Sequence, residues 1–194
     1  FMKEADHCFF PTVGANKGFQ FTLESETGRS FNWTNRSDKM VSVQVQCSDG
    51  SVIRKTVNIN SKDNFEKAFQ KVCQLRTTGI NGIRIASSKI VLDGTLVERL
   101  NSARTVCSPH AYGNAIDINY GESVVVNGVT YKPWAGQGNT TKVNYDAFVK
   151  AIGRESDIRN VNYILWKYAF EPSGFTWGGN WSSGSFDPMH YEAK

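Results

Sequence analysis

Residues 108–117 read Ser108-Pro109-His110-Ala111-Tyr112-Gly113-Asn114-Ala115-Ile116-Asp117, and residues 187–192 read Asp187-Pro188-Met189-His190-Tyr191-Glu192. The chain holds three histidines in 194 residues, and two of them fall in these stretches. His110 and Asp117 are seven positions apart. In a helix that is two turns, about 10 Å of rise, too far to share one ion. Gly113 breaks the segment, and Ala115 to Asn119 alternates as a strand, with Ile116 and Ile118 on one face and Asp117 and Asn119 on the other. His110 then sits before a turn and Asp117 on the outgoing strand, and such a fold-back brings both to one point. His190 arrives from a distant segment as a third donor, and Glu192 shares its strand face. Asp187 precedes a proline, which keeps it extended and lets it stand beside His190. Zinc takes N, O or S donors at about 2.0–2.3 Å, and a catalytic site keeps one position for water. Each piece alone has a plainer reading: a surface histidine, or an Asp-Pro turn. Their joint occurrence in a histidine-poor chain is far more specific.

Outward from these stretches, the pattern predicts an α+β fold, a small antiparallel sheet flanked by helices. Residues 1–18 are irregular. Phe19 to Leu23 alternates, as does Val41 to Cys47, and Asp49-Gly50 separates the latter from Val52 to Ile59. Residues 19–60 therefore read as an antiparallel β unit, and 1–61 as a β-rich extension or accessory unit ahead of a catalytic domain at 62–194. Phe65, Ala68, Phe69, Val72 and Cys73 recur at helical spacing, with Asp63 and Glu66 as a capping box and Gly79 as the stop. Ile80 to Ala86 reads as a strand with Ile83 and Ile85 inward. Asn127-Gly128 marks a hairpin between Val124–Val126 and Val129–Tyr131. Helical stretches are expected at about 144–153 and 158–170, where Val161, Ile164, Leu165 and Tyr168 share a face, and a short strand at 189–193.

The net charge of +4 suits an anionic polymer such as cell wall, while no arginine-rich tract argues for nucleic acid. No apolar run approaches the roughly 20 residues of a membrane span, and Phe1 to His7 has no apolar core of a signal peptide. Cys8, Cys47, Cys73 and Cys107 form no C-x-x-C pair. Their number permits two disulfides or four thiols. Cys73, on the apolar helix face, reads as a core thiol, and Cys107 as a small buried residue. His7 reads as a surface residue, and the sequons at Asn32, Asn35, Asn139 and Asn180 as chance.

The stretch S-P-H-A-Y-G-N-A-I-D resembles the S-x-H-x-x-G-x-A-x-D signature of zinc D-alanyl-D-alanine peptidases. That family includes the carboxypeptidases and dipeptidases of vancomycin resistance and phage endolysins cutting L-alanyl-D-glutamate bonds, and the Hedgehog signalling domain shares its fold. The ending Trp177-Gly178-Gly179-Asn180-Trp181 with Asp187 to Glu192 resembles the family's W-G-G-x-W…[D/E]-x-x-H. Gly94-Thr95-Leu96-Val97-Glu98-Arg99 resembles its G-x-Y-V-x-R segment. The resemblance spans roughly 62–194.

It implies one zinc ion held by His110, Asp117 and His190, with Asp187 as general base where the dipeptidases usually carry glutamate. Arg99 is implied to polarise the substrate carbonyl, with Arg104 and Arg84 as alternatives because the spacing varies. Ser108 either binds substrate, supports a ligand or caps a local turn. Tyr112, Trp177 and Trp181 either wall a substrate cleft or belong to the core. The implied substrate is the stem peptide of peptidoglycan, cut by a monomer as a carboxypeptidase or an endopeptidase. The implied setting is secreted, wall-associated or phage-encoded and released at lysis. A zinc-bearing binding module without turnover is the competing class, and the presence of Asp187 argues for the enzyme.

Overall fold

Alternation of Val43, Val45 and Cys47 with polar residues makes one face of a strand apolar, and Ile53 and Val57 do the same for its partner. The two pair as β3 (Met40–Gln46) and β4 (Val52–Asn58), in antiparallel register from Met40↔Asn58 to Gln46↔Val52 around the predicted Asp49-Gly50 turn. A computed structural model describes residues 40–96, 108–119, 161–181, 185 and 187–194. It also gives the backbone of 22–24, 30–32, 124–126 and 129–131. Those backbone pieces are β1 (Thr22–Glu24) with β2 (Ser30–Asn32), and β6 (Val124–Val126) with β7 (Val129–Tyr131), two antiparallel pairs. The second is the hairpin expected at Asn127-Gly128. The helix expected at 144–153 lies outside the described residues, as do His7, Cys8, Cys107, Arg99 and Arg104.

The apolar face of the hairpin lies on α1 (Lys62–Arg76), which buries Phe65, Ala68, Phe69, Val72, Cys73 and Leu75 as its spacing requires. The cap differs from the expectation. The helix begins at Lys62, so Asp63 lies within its first turn, where its charge suits the positive end of the helix. Ser61 occupies the N-cap position, but its hydroxyl donates to Asn114 Oδ1 at 2.8 Å instead of capping. The stop is as expected: Gly79 takes φ of 85° and donates to Gln74 O at 2.7 Å. Cys73 is buried but is not a thiol. It is disulfide-bonded to Cys47 at the end of β3, so the bond ties hairpin to helix.

Ile80 to Ala86 is not a strand. Asn81 and Gly82 both take positive φ (50° and 77°), and Ile80 and Ile83 exchange two 2.9 Å hydrogen bonds across them. Positive φ at both central residues is the signature of a type I′ turn, which the Asn-Gly pair favours. Ile85 still points into the core.

The second sheet has the order β5-β9-β8: β5 (Ala115–Asp117), β9 (His190–Ala193) and β8 (Phe175–Trp177), antiparallel throughout. Ile116, Tyr191, Phe175 and Trp177 point from one face into the same core as the hairpin and α1. A short α2 (Val161–Leu165) runs on as a π-helix over Trp166–Phe170. The wider turn shifts the buried face, so Leu165, Ala169 and Phe170 are buried and Tyr168 only partly. The Tyr191 hydroxyl donates to Asn162 O at 2.7 Å, pinning this helix to β9. The protein is α+β. Among the described residues, no helix is long and apolar enough to cross a membrane.

Candidate metal centre

Sheet register builds the site. Asp117 on β5 lies directly opposite His190 on β9. Opposed residues of antiparallel strands project to the same face, about 5 Å apart at Cβ. The face opposite the core therefore carries Asp117, His190 and Glu192. Asp117 is held from both sides: Asp93 N–H donates to its carbonyl at 2.9 Å, and the next residue, Ile118, donates to Met189 O at 2.9 Å.

His110 reaches the same point from a 3-10 turn over Pro109–Tyr112. Ser108 caps that turn, accepting from His110 N–H at 3.4 Å, and it is buried; of its three expected roles the structure shows the cap. Gly113 then takes φ of 69° and redirects the chain into β5. A Cβ there would stand 2.8 Å from Asn58 N, so glycine is required both by conformation and by the approach of β4. Asn58 fastens the turn: its N–H donates to Gly113 O at 2.9 Å and its side chain to Tyr112 O at 3.0 Å.

The result is a triangle of donor atoms. His110 Nε2 lies 3.1 Å from Asp117 Oδ1, His190 Nδ1 lies 3.2 Å from Asp117 Oδ1, and the two ring nitrogens are 3.2 Å apart. Adjacent corners of a tetrahedron with metal–donor bonds of about 2.0–2.1 Å stand roughly 3.3 Å apart. Three lone-pair donors turned on one point repel each other unless a proton or a cation lies between them. The three residues form a buried group able to hold a metal ion.

The electrostatics agree. Burial would raise the Asp117 pKa, but hydrogen bonds with His110 and His190, and their charges, reverse this and hold the carboxyl well below its usual range. Burial would lower His190. Hydrogen bonds to Asp117 and Glu192, with the charges of Asp117 and Asp187, instead push it up to about 9. The site is thus arranged to attract one positive charge.

Asp187 stands on the turn leading into β9. Its N–H donates to Gly178 O at 3.0 Å, and its carbonyl accepts from His190 N–H at 3.1 Å. A Cβ on Gly178 would collide with the Asp187 carbonyl, so the glycine is what lets this turn close. Of the two expectations for Trp177, the structure shows the core and not the cleft wall. The residue is 1% exposed, lies on the core face of β8 and donates its indole N–H to Pro188 O at 2.6 Å. Its part is to anchor the turn that carries Asp187. Tyr112 is likewise buried. Trp181 does border the site, half-buried, with its ring 5.1 Å from that of His190. Arg84 is exposed beside the Asn81-Gly82 turn. Glu192, which had no assigned role, accepts from or donates to His190 Nε2 at 3.1 Å; its i+2 spacing on a strand was the signal.

Fold and donor set together define a small α+β protein with a buried His-Asp-His group able to hold a metal ion. Residues 101–193 match the family model described as D-alanyl-D-alanine carboxypeptidase. That segment is just under half of the chain, contains all three donors, and supports the zinc D-alanyl-D-alanine peptidase family that the motifs resemble. No curated protein and no solved structure matches the chain.

Proposed function

We propose that this chain is a zinc peptidase that hydrolyses peptide bonds in the stem peptides of bacterial peptidoglycan. The observation that carries the reading is the donor triangle of His110 Nε2, Asp117 Oδ1 and His190 Nδ1, lying within a segment that matches a peptidase family. Two imidazoles and one carboxylate leave a fourth tetrahedral position open, the donor set of a catalytic rather than a structural zinc site. Zinc there would supply Lewis acidity, lowering the pKa of a water and polarising the scissile carbonyl.

The chain's own residues do the rest. Asp187, three residues before His190, takes the proton of the attacking water and returns it to the leaving amine. The His190 N–H bond to its carbonyl keeps the base and the ligand in one rigid turn. Trp181, half-buried against the His190 ring, offers an apolar wall for the peptide. Arg99 is assigned the developing oxyanion on the motif alone. The Cys47–Cys73 disulfide favours an oxidising compartment, which suits a protein acting at the wall, secreted or released at lysis.

The test is to incubate the zinc-loaded protein with peptidoglycan and isolated stem peptides and to identify the released ends by mass spectrometry, with Asp187→Ala as control. Free D-alanine means a carboxypeptidase, and new internal amino termini mean an endopeptidase. No release from any wall type by zinc-loaded protein would overturn the enzyme reading and leave a zinc-bearing binding module.

A further inference from the structure

We propose that Glu192 is a positioning residue of the metal centre, fixing which nitrogen of His190 faces the ion. The inference rests on the metal reading above and adds a residue to it.

His190 has two ring nitrogens with different partners. Nδ1 faces Asp117 Oδ1 and His110 Nε2, both at 3.2 Å, and Nε2 faces Glu192 Oε2 at 3.1 Å. An ionised carboxylate only accepts hydrogen bonds. Glu192 therefore holds the ring proton on Nε2 and leaves the Nδ1 lone pair for the metal. It also stops the ring from turning about its Cβ–Cγ bond. A carboxylate behind a ligating histidine makes that histidine more basic and orients it.

The placement is rigid. Glu192 is two residues beyond His190 on β9, so the two side chains share a face. It lies opposite Ala115 on β5 and Thr176 on β8, and the small alanine leaves the glutamate room to lie along the strand toward His190. Its side chain is 22% exposed, so removing it opens no cavity in the core.

The experiment compares wild type, Glu192→Ala and Glu192→Gln. It measures zinc affinity by chelator competition, the absorption spectrum of the Co²⁺ form, and the melting temperature of the metal-free protein. Glu192→Ala should bind zinc about 10- to 100-fold more weakly, with altered Co²⁺ bands and only the small loss of metal-free melting temperature that the missing His190–Glu192 hydrogen bond accounts for. Glu192→Gln, whose amide oxygen still accepts from Nε2–H, should recover most of the affinity. Zinc affinity and Co²⁺ spectrum in Glu192→Ala equal to wild type would overturn the proposal. So would equal weakening in both variants with a matching loss of metal-free stability, which would mark a merely structural residue. A wild type that binds no zinc would overturn the metal reading itself, and this proposal with it.

Discussion

Asp187 and the donor triangle make separable predictions at the level of single residues. Asp187→Ala should lower turnover on stem peptides by about 10²- to 10⁴-fold, the usual range for a positioned acid–base group, while zinc content by metal analysis stays at the wild-type value. The pH dependence of the metal-free protein follows from His190 and Asp117. His190 is raised to about 9 in the fold, so its stabilising effect is complete below its unfolded pKa near 6.5 and is lost as pH rises toward 9. Asp117 is depressed, so its effect is present above 3.8 and is lost as pH falls below that value. Metal-free stability, followed by urea denaturation across pH, should therefore peak between about 4 and 6.5 and fall toward pH 9. A flat profile from pH 6 to 9 would contradict the His190 pairing. At this scale the convergence of His110 and Asp117 was readable, because His-x₆-Asp with an intervening glycine permits few geometries. The facing of Trp177 was not. An aromatic in a glycine-rich stretch reads the same on either side of a strand until its partner Tyr191 fixes the register.

At the scale of elements, the Tyr112–Asn114 turn between His110 and Asp117 is held by β4. Asn58→Ala removes the donor to Tyr112 O and the acceptor for Asn60 N–H. The expected cost is about 1–3 kcal/mol of stability, measurable by chemical denaturation, together with weaker zinc binding because the turn carries His110. A variant with full stability and affinity would show that the hairpin leaves the site untouched. The hairpin itself, α1 and the strand at Ala115–Asp117 follow from apolar periodicity, which encodes a buried face directly. What periodicity does not encode is competition for a side chain. Ser61 gives its hydroxyl to Asn114 and leaves the helix uncapped by a side chain, and the Asn81-Gly82 turn interrupts an apolar run that otherwise alternates like a strand.

For the whole molecule, the Cys47–Cys73 bond closes a span of 26 residues between hairpin and helix. In the loop-entropy picture a bond of that span contributes about 3.5 kcal/mol. Cys47→Ala/Cys73→Ala should lose stability of that order by urea denaturation and keep its zinc stoichiometry, since neither sulfur belongs to the donor group. The pairing could not be read from sequence, because four cysteines at irregular spacing allow three connectivities. The β3–β4 hairpin and the segment that matches the family model share one hydrophobic core, a long-range fact that no local pattern carries. The account as a whole depends on a single ion at the donor triangle. Anomalous diffraction from zinc-loaded crystals at the zinc edge tests this most directly. One peak bonded to His110 Nε2, Asp117 Oδ1 and His190 Nδ1 is the predicted result; a zinc-loaded crystal with no peak there, or with zinc held elsewhere, would contradict it.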